Sequence, residues 1–87
     1  MTFQGAKKLL KKQALTQEEK NEIIDYVSSR EKWLNLNVKK RDAFLEKIDS
    51  DPRAKERMNF CIQEISLVSN EIAEIQRLSE VRAWKPR

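Results

Sequence analysis

Carboxylate pairs recur along the chain at helical spacing: Glu18 with Glu22, Glu22 with Asp25, Asp42 with Glu46, and Glu71 with Glu74. Two such groups can divide acid and base roles only where burial or a charged neighbour separates their pKa values. Here each pair lies on a polar face, and two of them have a base three residues away, Lys39 from Asp42 and Arg77 from Glu74. That pattern describes solvated surface. Ser28-Ser29 and Ser66/Ser69 supply hydroxyls, but the chain has no histidine to activate one. A serine–lysine pair is conceivable in kind. However, Gly5 is the only glycine, so no glycine-built oxyanion turn or phosphate loop accompanies it. Cys61 is the only cysteine, which excludes an internal disulfide and a zinc knuckle. No cofactor and no metal are expected, and the residues point to a protein that is not an enzyme.

The elements that carry these residues are helices. Eighty-seven residues make one domain at most, near the lower size limit for a self-sufficient core. The composition is 39% hydrophobic and 37% charged, with one glycine and two prolines, which suits long helices. Strand signals are missing: there is no Asn-Gly or Asp-Gly turn and no sustained apolar/polar alternation. Thr16-Gln17-Glu18-Glu19 reads as a capping box that starts a helix at Thr16. In Ser50-Asp51-Pro52, Asp51 suits an N-cap and Pro52 the first helical position. The single domain, residues 1–87, therefore divides into a short basic helix over about 5–14, helices over 16–49 and 52–82, and a basic tail over 83–87.

Both long helices carry heptad spacing. Ile24, Val27, Glu31, Leu34, Val38, Arg41, Leu45 and Ile48 form one stripe, and Met58, Cys61, Ile65, Val68, Ile72 and Ile75 the other. Matched lengths, matched period and a short turn predict an all-α fold, an antiparallel helical hairpin packed like a coiled coil. Glu31 and Arg41 are then the polar residues of an apolar seam, and Cys61 packs near Arg41 as a small apolar thiol. The Asn35-Leu36-Asn37 stretch is a place where the second helix could break.

The seam leaves apolar residues over. Tyr26, Trp33 and Phe44 fall roughly 100–120° to one side of it, and Phe60, Leu67 and Leu78 fall off the third helix in the same rotational sense. Antiparallel partners keep such residues on one broad face. The short first helix is amphipathic, with Phe3, Ala6, Leu9, Leu10 and Ala14 on one arc. It can cover Ile23, Tyr26, Leu78 and Val81 at its own end. Trp33, Phe44, Phe60 and Leu67 would stay open, and a patch of that size calls for a partner protein or a second copy. The alternative is a bend at Asn35 that wraps these residues into a compact three-helix core.

Charge is unevenly placed. Residues 1–15 carry Lys7, Lys8, Lys11 and Lys12 and no acid, whereas residues 82–87 carry Arg82, Lys85 and Arg87. The hairpin brings these ends together, with Trp84, into one basic pole. Such a pole can serve an acidic protein surface, or phosphates with base stacking, or simply solubility. Two functions remain: a small helical regulator or adaptor that inhibits or recruits a larger protein, and a dimeric nucleic-acid-binding protein. For the first, self-association into a homodimer or small homo-oligomer, a four-helix-like bundle, is expected. No apolar run near the N-terminus suggests a signal peptide or span, so a cytoplasmic location and no membrane partner are expected.

Overall fold

The computed structural model describes residues 1–82 and Trp84; Ala83, Lys85, Pro86 and Arg87 lie outside the described residues. The chain forms α1 (Phe3–Leu10), α2 (Gln17–Glu46) and α3 (Ala54–Val81), with no strand among the described residues. It is an all-α helical hairpin in which α2 and α3 pack against each other and α1 lies across one end.

Local chemistry sets each boundary. The Thr16 hydroxyl accepts from the Glu19 amide at 3.1 Å, and the Glu19 carboxylate accepts from the Thr16 amide at 3.0 Å. The capping box thus forms as read. α1 starts earlier than the sequence suggests because Thr2 caps it, its hydroxyl accepting from the Gly5 amide at 3.0 Å. It also stops at Leu10, not near residue 14, because the Arg82 guanidinium takes up the carbonyls at that end (Leu10 O at 2.8 Å, Lys12 O at 2.5 Å). A cation donating to the last carbonyls of a helix answers both their missing hydrogen bonds and their negative partial charge.

α2 runs unbroken through Asn35-Leu36-Asn37. The Asn37 side chain donates back to the Trp33 carbonyl at 2.9 Å, a bond made within the helix that leaves the helix intact. The alternative bend at Asn35 does not occur. Past Glu46 the chain tightens into i→i+3 bonds, Lys47 N to Phe44 O and Ile48 N to Leu45 O. The second helix therefore ends about three residues before the position read from sequence. Asp51 is not the N-cap and Pro52 is not the first helical position: both lie in the turn, where Asp51 accepts from the Arg53 amide at 2.9 Å. α3 begins at Ala54, two residues later than read from sequence, with Arg53 as an N-cap that makes no side-chain bond.

The two long helices give a rod of 54 × 18 × 16 Å. On α3 the buried line is Ala54, Cys61, Val68 and Ile75, seven residues apart, flanked by half-buried Met58, Ile65 and Ile72. This is the expected stripe. On α2 the seam is rotated by about 50° from the expected one. Ile23, Arg30, Asn37 and Phe44 occupy the inner position that Ile24, Glu31, Val38 and Leu45 were expected to hold. Leu45 accordingly stays 54% exposed. Glu31 and Arg41 are correspondingly not the polar pair of the interior; Arg41 turns outward to the Asp42 carboxylate at 3.2 Å. The buried polar residues are Asn37, 2% exposed, and Ser79, fully buried with its hydroxyl donating to the Ile75 carbonyl at 2.7 Å. A part-buried Arg30–Glu71 bridge of 3.0 Å joins the two helices.

α1 explains the rotation. Ala6 and Leu10 pack with Ile23, Val27 and Ile75 into the one apolar cluster at this end, with Phe3, Leu9, Tyr26, Leu78 and Trp84 around it. Fully burying an Ile or Leu side chain contributes about 1.5–3 kcal/mol, so turning Ile23 and Tyr26 toward α1 outweighs keeping Leu45 inside. Val81 is the exception to the expected cover. It is 79% exposed, because it shares the heptad position of Phe60 and Leu67, outside the footprint of an eight-residue helix.

Candidate functional site

Between α2 and α3, toward the turn, lies a groove of about 380 Å³ lined by Trp33, Asn37, Lys40, Phe44, Arg57 and Phe60, with Cys61 and Glu56 completing it. Trp33 and Phe44 come from α2 at positions eleven residues, three turns, apart. Phe60 comes from α3 and stands opposite them. The unbroken α2 is what sets the two rings on one wall. Trp33 and Phe44 are half-buried, whereas Phe60 is 58% exposed. Leu67 is 53% exposed and sits two turns further along α3 from Phe60, extending the same stripe toward α1 rather than lining the groove.

Sequence reasoning missed the floor and rim of this groove. Asn37 reaches it because of the seam rotation, and Cys61 is buried at its base. The Lys40 ammonium lies 6.0 Å from the centroid of the Trp33 ring, within cation–π range. Lys40 follows Trp33 by seven residues, so its place beside the aromatic stripe was readable from spacing. Among the described residues neither Lys40 nor Arg57 is ion-paired with a carboxylate, and both lie in the groove wall. Glu56 falls in the first turn of α3, where the partial positive charge of the helix start answers it.

The basic pole is assembled but partly engaged. Lys7 sits over the Phe3 ring at 5.2 Å, and Lys12 bonds the Glu19 carboxylate at 2.5 Å. Arg82 is held by three carbonyls, the third being Gln13 O at 3.4 Å. Trp84 is half-buried against the apolar cluster and donates its amide to Ser79 O at 3.0 Å. Lys8 and Lys11 remain exposed; Lys85 and Arg87 lie outside the described residues. The Lys12 ammonium and then the Thr16 amide hold the Glu19 carboxyl below its ordinary range. Glu74 is held down chiefly by its hydrogen bonds from Arg77, with Lys7 and Lys11 adding weaker attraction.

A second concavity, between α1 and α2, is wide and shallow, bordered by Lys8, Glu22, Asp25, Tyr26 and Arg30. Burial, reinforced by nearby Glu71, pushes the Tyr26 phenol upward. Its groups do not converge on a point. No described helix is long and apolar enough to cross a membrane. No protein-family model matches the chain, and comparison with curated proteins and with solved structures gives no match.

Proposed function

We propose that this protein is a non-enzymatic regulator or adaptor, working in the cytoplasm, that docks on a larger protein through its aromatic face and thereby inhibits or recruits it. The observation that carries the reading is the meeting of Trp33, Phe44 and Phe60 in one groove, continued by Leu67, on a face that no other element covers. Aromatic anchors beside a pocket dominate binding energy at protein interfaces, and exposed apolar patches of this kind mark such interfaces. The lysines of α1 would speed encounter with an acidic partner.

The nucleic-acid reading draws less support. Arg82, Lys12 and Trp84 are occupied within the chain, and Lys7 sits over the Phe3 ring, which leaves Lys8 and Lys11 of the described pole. A photo-cross-linking residue in place of Leu67 tests the proposal in cells that make the protein naturally. A discrete adduct with a different protein is expected, lost on Trp33→Ala with Phe60→Ala and retained on Lys8→Glu with Lys11→Glu. An adduct that depends on the lysines and ignores the aromatics would overturn it.

A further inference from the structure

We infer that the open groove is a seat for an amphipathic helix with acidic flanks, supplied by a different protein; this rests on the docking reading above and names the occupant. α1 provides the first argument. It already lies on the same face, with Phe3, Ala6 and Leu10, spaced i, i+3 and i+7, turned to the cluster formed by Ile23, Val27 and Ile75. Eight residues of helix cover about 12 Å of a rod 54 Å long. α2 and α3 run on past α1, and the aromatic groove lies further along the same two helices. A surface that takes one helix at one end offers the same shape further on, and helices dock in such grooves by i, i+3/i+4, i+7 anchors.

Charge chooses between occupants. Lys40 and Arg57 stand in the groove wall without carboxylate partners, while Glu56 is answered by the start of α3. An incoming helix with Asp or Glu beside its apolar stripe would supply the missing anions. The α1 of a second copy would not, since its charges are Lys7 and Lys8. Two copies set face to face about a two-fold axis through the groove would juxtapose two surfaces that each carry Lys40 and Arg57 against the single Glu56, a net repulsive arrangement. The whole chain carries +4, which favours the same choice of partner.

The test uses two helical peptides of ~16 residues, long enough to hold a helix. Both repeat the Phe-x-x-Ala-x-x-x-Leu spacing of α1; one carries glutamate at the lysine positions and the other keeps lysine. The Trp84→Phe chain leaves Trp33 as the sole indole reporter, and calorimetry on the unmodified chain checks the ranking. The acidic peptide should bind saturably with a blue shift of Trp33 emission, and the lysine twin about tenfold or more weaker, as for the loss of charge pairing at an interface. Lys40→Glu with Arg57→Glu should reverse the preference, and Phe60→Ala should weaken the acidic peptide about tenfold. Equal affinity for the twins overturns the proposal, as does no binding by a chain whose circular dichroism is still helical. A wild-type dimer in sedimentation that Phe60→Ala dissociates also overturns it, because a second copy then fills the groove. An aromatic-dependent cross-link to another protein that survives any of these failures would leave the docking function standing and remove only the acidic-helix occupant.

Discussion

At the terminal end of the hairpin, Ile23, Val27 and Ile75 are sealed beneath α1, and even the chain's last described tryptophan packs against them. At the turn end the same two helices present Trp33, Phe44 and Phe60, and among the described residues no other element lies on top. Both ends are comparably rich in large apolar side chains, so the amount of apolar surface does not separate them. What separates them is the supply of a third helix, present at one end and lacking at the other. Burial in a two-helix hairpin is therefore a matter of cover, and the uncovered end is where association energy remains available.

The comparison breaks most sharply under paired truncations. Ile75→Ala should cost about 2–5 kcal/mol, as for other fully buried large-to-small changes, and in a domain of marginal stability that moves the urea midpoint far down or abolishes it. Phe60→Ala should stay within about 0.5 kcal/mol of wild type, as exposed substitutions do. A comparable loss at both sites would mean that the groove is covered in the isolated chain. Next comes Arg82→Ala. Removing donors from three partly exposed carbonyls should cost about 1–2 kcal/mol, with faster amide exchange at Lys11 and Lys12 but not at the turn. Uniform acceleration would show that α1 is not separately held.

Asn37 lies where the two regions join. A buried polar residue in a helical seam weakens the pairing and fixes its register. Asn37→Leu should add about 1 kcal/mol and raise the thermal midpoint by about 4–8 °C, while permitting more than one associated state. A lower midpoint would show that its bond to the Trp33 carbonyl is worth more than its desolvation. The smallest effect is electrostatic. Glu19 has a folded pKa below its ordinary value of 4.5, through Lys12 first and Thr16 second. Its contribution is thus complete above that value and lost as pH falls through the folded pKa. Glu19→Gln should flatten the acid limb of the stability profile below about pH 4.5, and an unchanged slope would show that the exposed pair is screened.

Much of the frame was legible in the residues. Thr16-x-x-Glu19 marks its boundary because capping is local chemistry, whereas Asp51-Pro52 marks the turn but not the first residue of α3, which Arg53 precedes without a side-chain cap. The α3 stripe is unambiguous because one heptad position holds Ala54, Cys61, Val68 and Ile75. The α2 seam was not legible. Two stripes share Val27, Leu34, Arg41 and Ile48 and differ only in whether residues 23, 30, 37 and 44 or residues 24, 31, 38 and 45 face inward. Counting apolar residues favours the second set. The fold takes the first, since Ile23 meets α1 and Arg30 meets Glu71 across the pair. Those are long-range contacts that periodicity does not register. Trp33, Phe60 and Leu67 lie to one side of either seam, whereas Phe44 holds an inner position of the seam that forms and borders the groove from there. The pole fared differently: charge counting places Arg82 among its cations but does not see the carbonyls of Leu10, Lys12 and Gln13 that hold it.

The bond from Arg82 to the Leu10 carbonyl spans 72 positions. A ribosome adding about 5–20 residues per second needs roughly 4–14 s to pass from one to the other. The hairpin can zip outward from residues 47–53 as α3 emerges, yet α1 lacks the guanidinium that holds its carbonyl end until Arg82 has been made. The helix is thus present well before its fastening. For those seconds its hold on Ile23 and Val27 rests on apolar packing without Ile75 or Arg82, and a nascent chain would open there more readily than the finished protein.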